Sequence, residues 1–331
     1  MKITSVGGLI LFLCLSVIVG TSAPAQSKLL SAYISDSPSS SVPAWIAKEA
    51  RLFKKYGLDI DLVFIDGSTR GIQSLLAGDL SFTEAVGTSA INGRIAGGDI
   101  AIVNGVVNTL PYYVVGKANI KSREELKGRT AAVHIPGTAA DFALRLALKQ
   151  VGISYNQIKA ITVGGGPARI ASVIAGQTDF TIVSDAEKIQ GERNGLKVVI
   201  DMAALKVPFL YTCTVTSRQM IREQPNVVQS MVEAIAAGVH FFKTNKEESI
   251  RIMSKYTRGP SRAILEGAYS AYSQLFVEDT YPTVEGLRNT LEVQSSWDPK
   301  AAKAKAEDFV DLRFVDQLRS SGFINKLYGR R

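Results

Sequence analysis

Short apolar runs alternate with helix-period segments along residues 29–200, and the joints between them are brief, polar and rich in glycine. That rhythm is what a parallel sheet covered by helices requires, and it predicts an α/β fold. The stretch His134-Ile135-Pro136-Gly137-Thr138-Ala139-Ala140-Asp141 shows the unit most clearly. Residues 129–133 before it read as a buried strand. Residues 140–150 after it read as an apolar-periodic helix that Gly152 stops. Thr138, with Asp141 three residues on, is a helix-capping signal. A strand, a Gly-Thr turn and the free N–H groups of a helix start together seat an anionic or strongly polar group. One such turn alone more often only caps its helix. Here the device recurs at Asp66-Gly67-Ser68-Thr69-Arg70, between a strand expected over 58–65 and a helix over 72–77. Two such turns in two similar halves predict one ligand gripped from both sides.

The halves echo each other elsewhere. Leu75-Leu76-Ala77-Gly78-Asp79 and Val173-Ile174-Ala175-Gly176-Gln177 both read as a helix end, a glycine cap and the approach to a strand. Pro111-Tyr112-Tyr113 is matched by Pro208-Phe209-Leu210-Tyr211, each leading a β-branched run. These two runs read as the strands by which the chain crosses into a second lobe and returns. A first helix is expected over 42–56, closed by Gly57, with Trp45 more at home in a core than in a ligand site. Ser184 with Glu187 is expected to cap a helix over 185–194. Beyond Met220 the pattern turns helical, and the apolar tail over 307–328 is expected to pack back on the first lobe.

The chain has 331 residues, enough for two domains. Lys2, an apolar run over 6–19 and the small residues Thr21-Ser22-Ala23-Pro24-Ala25 form a secretory signal pattern, with cleavage expected after Ala25. Cys14 would leave with that segment, so Cys213 remains as a buried packing residue and no intrachain disulfide is expected. The net charge of +8, or +7 without Lys2, is spread in short clusters. No basic run is interleaved with aromatics, which excludes nucleic acid as the expected partner.

Several motifs, taken in order, resemble one family. They are Pro43-Ala44-Trp45-Ile46-Ala47, Leu52-Phe53-Lys54-Lys55-Tyr56-Gly57-Leu58-Asp59-Ile60, Gly67-Ser68, Leu76-Ala77-Gly78-Asp79, Leu126-Lys127-Gly128-Arg129, Pro136-Gly137-Thr138 and Ala175-Gly176-Gln177-Thr178-Asp179. The closing Asp308-Phe309-Val310-Asp311-Leu312-Arg313-Phe314 and Ser321-Gly322-Phe323-Ile324 belong with them. The chain resembles the substrate-binding proteins of bacterial ABC importers, in the family of nitrate-, sulfonate-, taurine- and thiamine-precursor-binding proteins. The resemblance implies two Rossmann-like α/β lobes joined by two hinge strands, the type II periplasmic-binding-protein fold, with a helical C-terminal extension on lobe 1. Lobe 1 would take residues 26–115 and 213–331, and lobe 2 residues 116–212. It implies a monomer in the periplasm that captures a small anionic solute or oxyanion, of sulfonate, taurine, nitrate or carboxylate class, and passes it to an ABC transporter permease, with no cofactor and no metal. Carried onto this sequence, the cleft candidates are Ser37, Ser68, Thr69, Thr88, Tyr112, Gly137, Thr138 and Asp185. Each follows the carboxyl end of a strand or lies on a crossing, where open α/β sheets bind ligands. Arg70 and Arg169 are candidate counter-charges whose plainer reading is a surface salt bridge. His134 is a candidate lining residue, though a lone histidine is more often structural.

Two other readings share the fold. A periplasmic sensor would look the same in sequence. An enzyme of thiamine-pyrimidine synthesis type needs an active-site histidine and a cysteine-rich motif. This chain has only His134 and His240, one cysteine beyond its leader, and no G-x-S-x-G elbow.

Overall fold

The computed structural model describes residues 29–34, 38–136, 138–257 and 260–330. Ser37 and Gly137 lie outside the described residues. In chain order the strands are β1 (Leu29–Ile34), β2 (Ile60–Ile65), β3 (Phe82–Ala85), β4 (Ile100–Thr109), β5 (Tyr113–Gly116), β6 (Thr130–Val133), β7 (Lys159–Thr162), β8 (Phe180–Val183), β9 (Lys197–Asp201) and β10 (Pro208–Ser217). The helices of the two sheet regions are α1 (Val42–Glu49), α2 (Leu52–Lys55), α3 (Ser68–Ala77), α4 (Gly87–Ile95), α5 (Ala139–Gln150), α6 (Gly166–Ile174) and α7 (Asp185–Arg193). The C-terminal helices are α8 (Arg218–Glu223), α9 (Pro225–Thr244), α10 (Lys246–Tyr256), α11 (Arg262–Leu275), α12 (Val284–Ser295), α13 (Pro299–Lys303), α14 (Arg313–Ser320) and α15 (Phe323–Leu327).

Two five-stranded sheets result, in the orders β2-β1-β3-β10-β4 and β7-β6-β8-β5-β9. The two orders are one plan used twice. In each sheet the first three strands pair in parallel. One strand then enters antiparallel and separates the third from the fourth. The entering strand is the one supplied by a crossing: β10, returning from the second lobe, fills the first sheet, and β5, leaving the first lobe, fills the second. The two-lobed α/β fold expected from the alternation is the fold observed. The chain passes between sheets over residues 110–112 and returns over residues 202–207. The expected lobe borders after Val115 and after Thr212 fall inside β5 and β10.

The echoed glycine caps are real: Gly78 (φ 86°) and Gly176 (φ 77°) each adopt the left-handed backbone that a side chain would strain. The single helix expected over 42–56 is two. Arg51 sits at φ 56° between α1 and α2, after the Ala50 and Arg51 amides have bonded back to Ile46 and Lys48. Trp45 is 1% exposed and stacks on Tyr256 at 4.8 Å, so it is core. Burying such a side chain contributes about 1.5–3 kcal/mol or more.

The C-terminal helices brace the first lobe. α9 crosses α1 so closely that a Cβ at Gly238 would stand 2.3 Å from the Pro43 carbonyl oxygen. α12 lies on β10, where a Cβ at Gly286 would be 2.7 Å from the Phe209 Cα. The extension also reaches the second lobe. Trp297, just past α12, meets Phe142 of α5 edge to face at 5.5 Å and lies under the Arg145 guanidinium at 4.9 Å.

Candidate functional site

The pairing registers fix which edges of the sheets the two crossings connect. β10 begins with Pro208 opposite Thr109, the last residue of β4. β5 begins with Tyr113 opposite Val183, the last residue of β8, and opposite Asp201, the last residue of β9. Both crossings therefore leave from the carboxyl edge of a sheet. Thr109 Oγ1 donates to the Val207 carbonyl (3.2 Å) and the Met202 amide donates to the Tyr112 carbonyl (3.0 Å), which ties the crossings to the strand ends. Strand order reverses at β1 in the first sheet and at β6 in the second, and the crevice beyond such a reversal is where open sheets take ligands.

At the first edge the helices begin earlier than expected. α3 starts at Ser68, with Gly67 (φ 88°) as its cap, and α4 starts at Gly87. Ser68 is consequently 3% exposed, and its Oγ accepts from the Val86 amide at 3.0 Å, which joins the starts of the two helices. Thr88 is also 3% exposed, in the first turn of α4. Thr69 and Arg70 face solvent, and Arg70 pairs with Asp66 at 3.6 Å across two exposed side chains. Arg70 is thus engaged in a surface ion pair, the plainer of its two expected readings.

Sequence reasoning missed Glu84, on β3 one residue before the strand's end. It is 3% exposed, and neither its Oε2 nor the Ser41 Oγ has a hydrogen-bond partner. Burial raises its carboxyl to about 8, and Ser41, close by but not in hydrogen-bond geometry, offsets this only in part. Glu84 is thus a neutral acid at pH 7. A lone acidic residue in the apolar run over 80–86 was the available signal. Beside it, the Cys213 thiol donates to the Ala85 carbonyl, and burial with Glu84 nearby pushes its ionisation far above the ordinary range. It is no nucleophile.

The second edge is charged. Thr138 caps α5 as the spacing predicts, accepting from the Asp141 amide (3.4 Å) while its hydroxyl donates to the Ile135 carbonyl (2.9 Å). Ser184 precedes α7, but its hydroxyl donates to the Glu187 carboxylate and not to the backbone. Asp185 opens α7 at this edge, and its side chain lies outside what the structure describes. Arg169, in the first turn of α6, is no surface residue: it is 3% exposed. Its Nε and Nη2 donate to the Ile182 carbonyl (3.3 and 2.9 Å) and its Nη1 to the Gly164 carbonyl (2.6 Å). Burial lowers its affinity for a proton, while Tyr112 and Glu187 act the other way. Tyr112, 7% exposed, stands on the crossing with its ring edge-on to Tyr211 at 5.9 Å. His134, just past β6, is half-buried with its Nδ1 unpartnered. Burial first, and then the charge of Arg169, hold its imidazole below the ordinary value.

Ser68, Thr88, Tyr112 and Thr138 thus stand on the two carboxyl edges or the crossing, and His134 and Arg169 join them. A cavity of about 660 Å³ edged by Arg94, Arg218, Lys300 and Lys303 lies at the opposite, amino-terminal edge of the first sheet, outside this crevice. Among the described residues no group of three or more His, Cys, Asp or Glu is placed to hold a metal ion.

A family model described as "NMT1/THI5 like" matches residues 39–249. Proteins described as putative binding proteins in Brucella abortus and Brucella suis are 28% identical over 233 residues, covering 68% of this chain and 70% of each relative. Among solved structures, the periplasmic aliphatic sulphonate binding protein of Escherichia coli superposes with a TM-score of 0.71 at 17% identity, over 88% of this chain and 100% of that one. A putative periplasmic sulfonate-binding protein of Methylobacillus flagellatus gives 0.72 at 17%, over 91% and 95%. The alkanesulfonate-binding protein of Xanthomonas axonopodis bound to MOPS gives 0.64 at 16%, over 86% and 96%.

Proposed function

Since this chain belongs to the NMT1/THI5-like family, we propose that it is an extracytoplasmic solute-binding protein. It captures a small organic anion or oxyanion, of sulfonate, taurine, nitrate or carboxylate class, between its lobes and delivers it to an ABC transporter permease. The observation that carries this reading is the doubled sheet plan, in which two crossings link the carboxyl edge of one sheet to the carboxyl edge of the other. Crossings of a few residues suit hinge closure around a solute. The sulfonates in the names of three similar structures favour that ligand class. Ser68, Thr88, Tyr112 and Thr138 are the proposed cleft residues, lobe 2 being the insertion between the two crossings. Export, with cleavage after Ala25, is part of the same proposal.

The test is thermal unfolding of residues 26–331 against sulfonates, taurine, nitrate, pyrimidines and small carboxylates. A cleft ligand at a thousand times its Kd adds about 4 kcal/mol to the folded state. The shift is expected to shrink in Thr138→Ala. A ligand turned over to product, or a full shift that ignores substitutions at both edges, overturns the reading.

A further inference from the structure

We infer that the carboxyl edge of the second sheet carries an oxyanion subsite built on Arg169 and His134, so that a captured solute places its negative end against lobe 2. The inference rests on the binding-protein reading and adds to it which lobe reads the charge and through which residues.

The first ground is an unbalanced buried charge. Arg169 is 3% exposed, yet among the described side chains no carboxylate lies within ion-pair distance of it. Its acceptors are two backbone carbonyls, which hold the plane of the guanidinium and leave each terminal nitrogen a second N–H. Glu187 acts on it only from farther off and is itself engaged by the Ser184 hydroxyl. Carbonyl dipoles satisfy hydrogen bonds but do not cancel a charge, and among the described side chains none supplies the counter-ion that a buried cation calls for. An arriving oxyanion supplies that counter-ion, and a planar fork is the geometry that suits it.

The second ground is a second polar group at the same edge. His134 follows β6, the strand at which the order of this sheet reverses; its Nδ1 is buried with no side-chain partner, and the adjoining Ile135 backbone favours its protonated form. The groups acting on this edge are named from every element that reaches it. Arg169 comes from α6, Asp141 from α5, Glu187 from α7 and Tyr112 from the crossing. Asp185 stands at the start of α7. The Ile135 backbone first, and then Asp141, pull the imidazole toward protonation, and Asp141 is itself held by Arg145 at 3.0 Å. The charge of Arg169 opposes protonation. An oxyanion seated by Arg169 cancels that opposition and lets the imidazole take up a proton, turning Nδ1 into a charged donor. The starts of α5 and α6, of 12 and 9 residues, present their positive ends at the same edge. Capture of the anion is then linked to proton uptake by His134.

The experiment uses residues 26–331 labelled with ¹³C-histidine. His134 and His240 are the only two signals. Both are titrated by NMR in buffer free of other oxyanions, with and without sodium sulfate. Sulfate is expected to raise the His134 pKa by about half a pH unit or more, saturably, while His240 stays in place as the control for ionic strength. In Arg169→Gln the His134 pKa should begin higher, and sulfate should no longer move it. Arg169→Lys, which keeps the charge and loses the fork, should show a weakened response, and it serves if the glutamine variant does not fold. The inference is overturned if sulfate leaves wild-type His134 unmoved, moves both histidines alike, or moves His134 equally without the Arg169 charge. A solute that binds in the unfolding assay without any sulfate effect on His134 sinks this subsite and leaves the binding-protein reading standing. A sulfate effect on His134 in a chain that turns its ligand over would keep the anion contact at this edge but overturn the capture role given to it.

Discussion

The two lobes share one strand plan and differ in what they bury at the edge that matters. What the first edge buries is neutral: Ser68 is bonded to the Val86 amide, and Glu84 holds its proton. The second is charged: Arg169 is buried against carbonyls and His134 stands unpaired beside it. The lobes differ in bracing too. α9 and α12 press on the first sheet and its helices, while the second touches the extension mainly along one face of α5. Topology thus supplies two matching crevices, and a few buried polar groups give them different work. The first lobe serves as the anchored half, and the second reads charge.

The largest effect that tests this contrast is the pH dependence set by Glu84. Its carboxyl is raised from 4.5 to about 8 in the folded chain. The folded state therefore holds the proton more tightly than the unfolded state does. That contribution is fully present below pH 4.5 and is lost as pH rises through 8, an upper bound of about 4–5 kcal/mol. In Glu84→Gln, stability from chemical denaturation should fall less between pH 5 and 8.5 than in the wild type. Equal slopes would mean that the first edge is not neutral.

Next in size is the comparison of the two turns that look alike in sequence. Ser68→Ala strands the buried Val86 amide and is expected to cost about 1–3 kcal/mol. Thr138→Ala removes a helix cap at a half-exposed position and should cost about 1 kcal/mol. If the two variants melt together, the edges are equally tied and the contrast fails. The smallest effect is expected from Arg70→Gln. Its exposed pair with Asp66 contributes about 0–0.5 kcal/mol, and solute binding should not change. A loss of anion binding in that variant would move the counter-charge to the first lobe.

The sequence made the architecture legible because period and punctuation are local. The alternation, the echoed caps at Gly78 and Gly176 and the capping pair Thr138–Asp141 all rest on neighbours a few residues apart. The site was legible in outline only. Ser68 and Thr88 were placed in turns, yet each lies inside the first turn of a helix, so a residue expected at a surface is buried. Arg169 read as a surface ion pair because its acceptor, Ile182, is 13 residues away on another strand. Glu84 went unnoticed for a related reason. Its surroundings come from Ser41, more than 40 residues upstream, and from β10, paired to β3 from more than 120 residues downstream. Ser37 and Gly137 lie outside the described residues.

The exchange of strands at the crossings also sets an order of assembly. All the strands of the second sheet lie between Tyr113 and Asp201, so an emerging chain can finish that sheet before Pro208 exists. The first sheet cannot close so early: β3 and β4 are both made before residue 110, but the strand that pairs with both is β10. Without it, the first sheet has only β2-β1-β3 and the separate strand β4, and the facing edges of β3 and β4 lack their ladder partner. The inserted lobe, though later in the chain, has its full set of strands first, and the strand that joins the lobe around it follows directly after.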